Sequence, residues 1–161
     1  MTQDQLAEAL NYDPATGLFS WKRNGGHCRV GEVAGYIEKR GYRQIGIMGK
    51  LYRAHRLAWF YAYGEWPKFQ IDHIDGDKAN NALANLRDVK PRQNSENCRK
   101  APKSNKSCGL LGVTFHKAAN KWMAQIRTEG KHKSLGLFLD PLEAHQAYLT
   151  AKRELHKGCT I

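Results

Sequence analysis

The sequence predicts an α+β fold: antiparallel strands at the N-terminus, a β-loop-β-α segment in the middle, then a small three-stranded sheet packed on one helix. Three observations predict it. Polar and apolar residues alternate through AGYIEKRGYRQIGIM and again through GVTFH, KWMAQIRT and KHKSLGLF, with the period of half-buried strands. AHRLAWFYAYG and DPLEAHQAYLTAKRELHKG instead repeat at helical spacing. Between the two halves, APKSNKSCG is rich in Ser, Lys, Asn and Gly and reads as a linker. The expected organisation is a first domain over 1–100, whose functional core is about 69–100, a linker over 101–109 and a second domain over 110–161.

The elements follow in order. Thr2 is placed to cap a short opening helix, with Gln5 as its capping-box partner. Asp13-Pro14 and Thr16-Gly17 make a turn into a strand at 18–22. Short antiparallel strands come next, turning around Arg40-Gly41 and at Gly49-Lys50, with Tyr42, Gln44 and Gly46 alternating with Arg43, Ile45 and Ile47. In AHRLAWFYAYG, Leu57, Phe60 and Tyr61 share a helical face, Gly64 fits the position that ends the helix, and Pro67 follows as a stop. The aromatics Trp59, Phe60, Tyr61, Tyr63 and Trp66 are expected in the core, because a dense aromatic helix packs on a sheet.

A strand over 70–74 then enters the turn Asp75-Gly76-Asp77. An Asn-rich loop, a short strand near 86–89 and a short helix opened by Pro91 complete the central segment. The last helix has Asp140 as N-cap, Pro141 at its first position and Gly158 just past its end. Its apolar face is Leu142, Ala144, Ala147, Tyr148, Ala151 and Leu155.

The formal net charge of +11 points to an acidic partner, most simply nucleic acid. The distribution is more telling. Residues 1–68 carry ten Lys/Arg against six Asp/Glu, residues 101–161 ten against four, and residues 69–100 only six against five. Two basic flanks thus enclose a carboxylate-rich centre, and holding a divalent cation against a phosphate is one use for such acids. No apolar run approaches the roughly 18 residues of a membrane span, and the N-terminus lacks a secretion signal, so no membrane partner is expected and a soluble, cytoplasmic protein is the expectation. The four cysteines are scattered without a C-x-x-C pair, which favours free thiols over zinc or disulfides.

The centre, QIDHIDGDKANNALANLRDVKPRQNSENC, has the parts that phosphodiester hydrolysis needs. A base must deprotonate water and a cation must neutralise the developing charge. His73 has the right unperturbed pKa for the base. Asp72 offers a hard oxygen suited to one Mg²⁺ or Mn²⁺, an Asn carbonyl can supply another, and an Asn in the loop can orient the imidazole. Asp72 and His73 are consecutive, so they converge only if the strand twists or ends there. Asp75 and Asp77 read as turn formers, since the bidentate Glu of an EF-hand is missing. His55 is expected to make a structural hydrogen bond at a helix start.

This text, from YRAHRLAWFYAYGEWP through DHIDGDKANNALANLR to RQNSEN, resembles the HNH endonucleases, especially the phage-type, intron-encoded nicking and homing enzymes. In that family an Asp-His pair is followed by an Asn twelve residues past the His and an Asn or His about nine further on; here these are Asp72-His73, Asn85 and Asn94. The resemblance implies a ββα-metal core with His73 as general base, Asn85 as its positioner, and Asp72 with Asn94 as metal ligands. Asn80 or Asn81 takes the place of Asn85 if the loop register differs. Some members carry a second His ligand where this chain has Cys98, a soft ligand poorly matched to Mg²⁺.

From Gly109 onward, GV, W-x-A-x-I-R, LG-x-F and EA-x-x-AY occur in the order that resembles an AP2-type DNA-binding domain, with fewer Arg and Trp than that family usually has. The resemblance implies a sheet laid in the major groove of double-stranded DNA and backed by the helix. Alternation separates its faces: Trp122, Ala124 and Ile126 toward the helix, Met123, Gln125 and Arg127 outward, with Thr114 and His116 on the first strand and His132 and Ser134 on the third. Gln125 and Arg127 suit base edges, and Lys131 and Lys133 suit phosphates. The leading expectation is a metal-dependent DNA endonuclease, homing-type and strand-nicking, monomeric with one motif per chain. The alternatives are a DNA-binding regulator with an inactive nuclease fold, and a nonspecific degradative nuclease.

Overall fold

Thr2 opens the first helix as its sequence requires. Its hydroxyl accepts the Gln5 N–H at 3.2 Å while the Gln5 side chain accepts the Thr2 N–H at 2.8 Å, closing a capping box on α1 (Gln3–Ala9). The computed structural model describes all residues of the chain except 27, 103, 104 and 106, and the chain divides into two compact units, Met1–Pro91 and Arg92–Ile161. The expected linker, 101–109, lies within the second unit, and its residues 103, 104 and 106 are outside the described residues.

In the first unit, β1 (Leu10–Asp13) pairs antiparallel with β2 (Leu18–Trp21). The sequence reading missed β1; Leu10 and Tyr12 alternate with exposed Asn11 and Asp13, but four residues are too few to separate that period from a turn. β3 (Tyr36–Ile37), β4 (Arg43–Ile47) and β5 (Lys50–Arg53) form a sheet with β4 central, whose Ile45 and Ile47 face the core. α2 (Ala54–Tyr63) ends at Gly64, whose φ of +74° is the left-handed conformation expected of it. Leu6, Leu10, Phe19, Ile45, Leu57, Ile71 and Leu86 share one apolar cluster, and Trp66 stacks on Phe60 with ring centroids 4.4 Å apart. Tyr63 is the exception among the expected core aromatics: it is exposed, at the last position of the helix.

β6 (Gln70–His73) and β7 (Leu86–Val89) make a two-stranded sheet with Asp72 opposite Arg87 and His73 opposite Leu86. The Asp88 carboxylate accepts the backbone N–H groups of Lys68 and Phe69 at 2.7 and 2.9 Å, pinning the chain where it enters β6.

α3 (Pro91–Glu96) enters the second unit. Its end is held by the C-terminal segment: the buried Glu96 carboxylate accepts the Gly158 N–H at 3.0 Å, Thr160 donates to the Asn97 side chain, and the buried Lys152 ammonium donates to the Cys98 carbonyl. β8 (Val113–His116), β9 (Lys121–Thr128) and β10 (Lys131–Phe138) form an antiparallel sheet with β9 central, and α4 (Pro141–Leu155) packs on it. Asp140 caps α4 by accepting the Leu142 N–H at 3.2 Å.

Three expectations for α4 are corrected. The helix ends at Leu155 with His156 as its C-cap, so Gly158 does not terminate it. Gly158 is instead a close-approach glycine: a Cβ there would lie 2.2 Å from the Gln93 carbonyl oxygen. Leu142 and Leu155 are exposed, while Lys152 takes a buried place at 1 % exposure, because the helix packs against α3's end as well as the sheet.

Candidate active site

The site grows from the loop between β6 and β7. Its first turn is built by carboxylates acting as local acceptors, which is what the Asp-Gly-Asp text requires. Asp75 Oδ1 accepts the Asp77 N–H at 2.8 Å, Asp77 Oδ1 accepts the Ala79 N–H at 2.9 Å, and the Gly76 N–H donates to the His73 carbonyl at 2.9 Å. Burial raises the Asp75 carboxyl, but bonds from Asn80, the Asp77 N–H and Asn85 outweigh it and leave the group below its ordinary pKa. The turn-former reading of Asp75 and Asp77 is what the structure shows.

His73 is the last residue of β6 and only 4 % exposed. Its ring meets His55 edge-on with centroids 5.1 Å apart and lies 6.0 Å from Tyr42. Burial lowers its pKa, partly offset by a hydrogen bond with Asn81 and by the carboxylates of Asp75, Asp72 and Asp77, so the ring is neutral at pH 7. His73 Nε2 lies 3.2 Å from Asn81 Oδ1.

Asn85, the expected positioner, is committed elsewhere. Its Oδ1 accepts the Asp75 N–H at 3.0 Å, and its Nδ2 donates to Asp75 Oδ1 at 3.0 Å and to the Asn80 carbonyl at 2.9 Å. Asn85 therefore closes the loop on itself, and the Asn that faces the imidazole is Asn81, the alternative that a shifted loop register allows. The reason is geometric: Asn85 stands in the last turn before β7, where its backbone carbonyl already bonds the Ile74 N–H at 2.9 Å and directs its amide back to the Asp75 turn.

Asp72 is buried and paired across the strands with Arg87, whose Nε and an Nη both donate to Oδ2 at 2.9 and 2.7 Å. The sequence reading missed this arginine, although a two-stranded register places it directly opposite Asp72. The carboxylate of Asp72 is a hard oxygen donor of the kind that suits Mg²⁺ or Mn²⁺, and two of its described bonds come from Arg87. Among the described residues, no group of three His, Cys, Asp or Glu is placed to hold a metal. Asn94 stands on α3, in the second unit.

His55, in the first turn of α2, is 5 % exposed, and its Nδ1 has no hydrogen-bond partner among the described residues. The expected structural hydrogen bond is replaced by ring packing against His73 and Tyr42. Burial drives its pKa down to about 3, aided by His73, Arg53 and Arg56, so it is a neutral wall of the pocket. Arg53 and Lys78 lie over the Tyr42 ring, 4.4 and 4.9 Å from its centroid.

Residues 52–96, from within β5 through α3, match the family model described as HNH endonuclease. The chain is 40% identical over 119 residues to Protein 3.8 of Escherichia phage T7, covering 73% of this chain and 93% of that protein. The chain carries an HNH endonuclease domain. This HNH chain is therefore a nuclease, with His73 in the matched segment. It is also 41% identical over 66 residues to the DNA endonuclease I-HmuI of Bacillus phage SP01, spanning 38% of each protein. A solved structure titled "DNA binding and cleavage by the HNH homing endonuclease I-HmuI" aligns at 25% identity with a TM-score of 0.44, covering 92% of this chain and 88% of that one.

The second unit of this HNH protein presents the other candidate surface. Cross-strand register puts Thr114 opposite Met123, His116 opposite Lys121, His132 opposite Arg127 and Ser134 opposite Gln125, so these residues share the face away from buried Ala124 and Ile126. A bulge between Ser134 and Gly136 then brings Leu137 onto that face opposite Met123. Lys131 and Lys133, expected to meet phosphates, oppose Thr128 and Ile126 and therefore belong to the other face, though both are exposed. The alternation of the third strand decides this, since His132 lies between them. His116 Nδ1 accepts the Ala119 N–H at 3.1 Å, and Arg127 Nε donates to the Gly130 carbonyl, so both side chains are oriented by their own turns. No helix among the described residues is long and apolar enough to cross a membrane.

Proposed function

We propose that this protein is a divalent-metal-dependent DNA endonuclease of homing type that cuts one strand per active site. One observation carries the reading: a buried imidazole, His73, kept neutral beside the carboxylate of Asp72 on the same strand, inside the segment that matches the HNH model. Neutral His73 takes a proton from water as the water oxygen bonds to phosphorus; one ester P–O bond breaks, and the leaving oxygen takes a proton from solvent. The Asp72 carboxylate would hold one Mg²⁺ or Mn²⁺, and the motif spacing names Asn94 as the expected second ligand. When bound, that ion supplies positive charge to the phosphate and the leaving oxygen. Arg87 orients Asp72, and Arg53 and Lys78 give the neighbouring phosphates a positive surface.

The substrate is DNA, as the name of the phage relative I-HmuI suggests and the net charge of +11 supports, and double-stranded DNA is the form the second unit's sheet would read. The second unit serves as an AP2-type reading module, with Gln125 and Arg127 at its centre and Thr114, His116 and His132 around them. Incubating the protein with phage DNA and Mg²⁺ is expected to yield discrete nicked products, lost on adding a chelator. A smear of fragments excludes the homing reading, and cleavage that survives the chelator excludes the metal.

A further inference from the structure

We propose that Asn81, outside the three motif positions, is the positioning residue for His73 and selects its working tautomer, making Nδ1 the nitrogen that takes the proton from water. The inference rests on the reading of His73 as general base.

An amide side chain has a donor end and an acceptor end, and which end faces an imidazole decides where the ring carries its hydrogen. Asn81 Nδ2 donates to the Ala79 carbonyl at 3.0 Å. The end facing His73 Nε2 at 3.2 Å is therefore the carbonyl, Oδ1. A carbonyl only accepts, so Nε2 carries the hydrogen and the neutral ring has its lone pair on Nδ1.

A positioning group must itself be held. Asn81 is fully buried, and the β1–β2 hairpin grips the backbone of residues 81–83 at three points. The Tyr12 hydroxyl donates to the Asn81 carbonyl at 2.8 Å, and burial pushes that phenol to about 12, so it stays a donor. The Leu83 N–H donates to the Pro14 carbonyl at 2.9 Å. Gly17, with φ of +73°, lies so close that a Cβ there would come within 2.1 Å of the Asn81 carbonyl carbon and the Ala82 nitrogen. The N-terminal hairpin thus has a place in the chemistry: it fixes the loop that fixes the base. Asn85 keeps the same loop closed from the other side through Asp75 and Asn80.

The decisive measurement needs no variant. A long-range ¹H–¹⁵N correlation spectrum of the wild-type protein, with the His73 ring assigned by its disappearance in His73→Ala, is expected to place the ring hydrogen on Nε2. A hydrogen on Nδ1 overturns the proposal. Kinetically, Asn81→Leu keeps the bulk and removes the acceptor; kcat on DNA is expected to fall roughly a hundredfold, the scale of a positioned base, with KM little changed. Asn81→Asp restores an acceptor and is expected to recover most of that loss. A folded Asn81→Leu protein that cleaves at the wild-type kcat overturns the proposal; if the variant does not fold, the wild-type tautomer decides alone. Undiminished cleavage by His73→Ala would instead remove the general-base reading, and the catalytic role of Asn81 with it.

Discussion

The pocket around His73 and the outer face of the β8–β10 sheet are both polar, and they are built on opposite terms. In the pocket, His73 and Asn81 are 4 % and 0 % exposed, so their polar atoms need partners within the protein, and each bond specifies a tautomer or an orientation. On the sheet, Arg127 and His132 are exposed and can take partners from whatever docks. The difference teaches where each kind of function can reside: chemistry in the buried network, whose geometry exists before substrate arrives, and recognition on the exposed face, whose contacts form with the ligand.

The sharpest way to break this contrast is His73→Ala. Cleavage is expected to fall about 100- to 10,000-fold while DNA binding in a mobility-shift assay stays within about twofold. Equal losses of binding and cleavage would merge the two regions into one. Next in size is a pair of glycine substitutions. Gly17→Ala meets the Asn81–Ala82 backbone and is expected to cost roughly 3 kcal/mol or more in a denaturant melt. Gly130→Ala, also at positive φ but with nothing within 4 Å, should cost only the backbone strain, about 1 kcal/mol. Similar losses at both sites would mean that the hairpin does not grip the loop.

Acid should find the pocket before it finds the sheet. His55 has a folded-state pKa of about 3 against 6.5 when unfolded, so below 6.5 the unfolded chain binds the proton first. The stability this residue contributes is complete above pH 6.5 and declines as pH falls toward 3. His55→Leu, which cannot titrate, should lose less stability than wild type between pH 7 and 4.5; parallel melts at both pH values would show the His55 ring to be hydrated. Smallest are the sheet variants. Gln125→Ala and Arg127→Ala are each expected to cost roughly 1–3 kcal/mol in affinity at a preferred site, with kcat at saturating DNA unchanged. Loss of kcat from either would place the sheet in the chemistry. Deleting 101–161 is a poorer test, because Glu96, Asn97 and Cys98 at the end of α3 would lose Gly158, Thr160 and Lys152 as partners.

Local codes were readable where they are short-range. The Thr2 capping box, Gly64 at the end of α2, the Asp140 cap and the faces of β9 all follow from spacing of a few residues. The His73 segment was legible because an Asp-His pair in an Asn-rich loop is an unusual use of polar residues. What spacing hid was long-range. Nothing in LNYD announces that Tyr12 will bond a carbonyl 69 residues on, and nothing in KREL announces that Lys152 will be buried on the Cys98 carbonyl.

The sequence by itself determined most of the elements, the nuclease segment and the basic character, because periodicity, caps and charge are properties of neighbours along the chain. Only the tertiary structure decided which asparagine faces His73, which arginine holds Asp72, and why Gly17 and Gly158 must be glycine. Those choices depend on where distant backbone passes within a few ångströms, and a buried amide has room for only one set of partners.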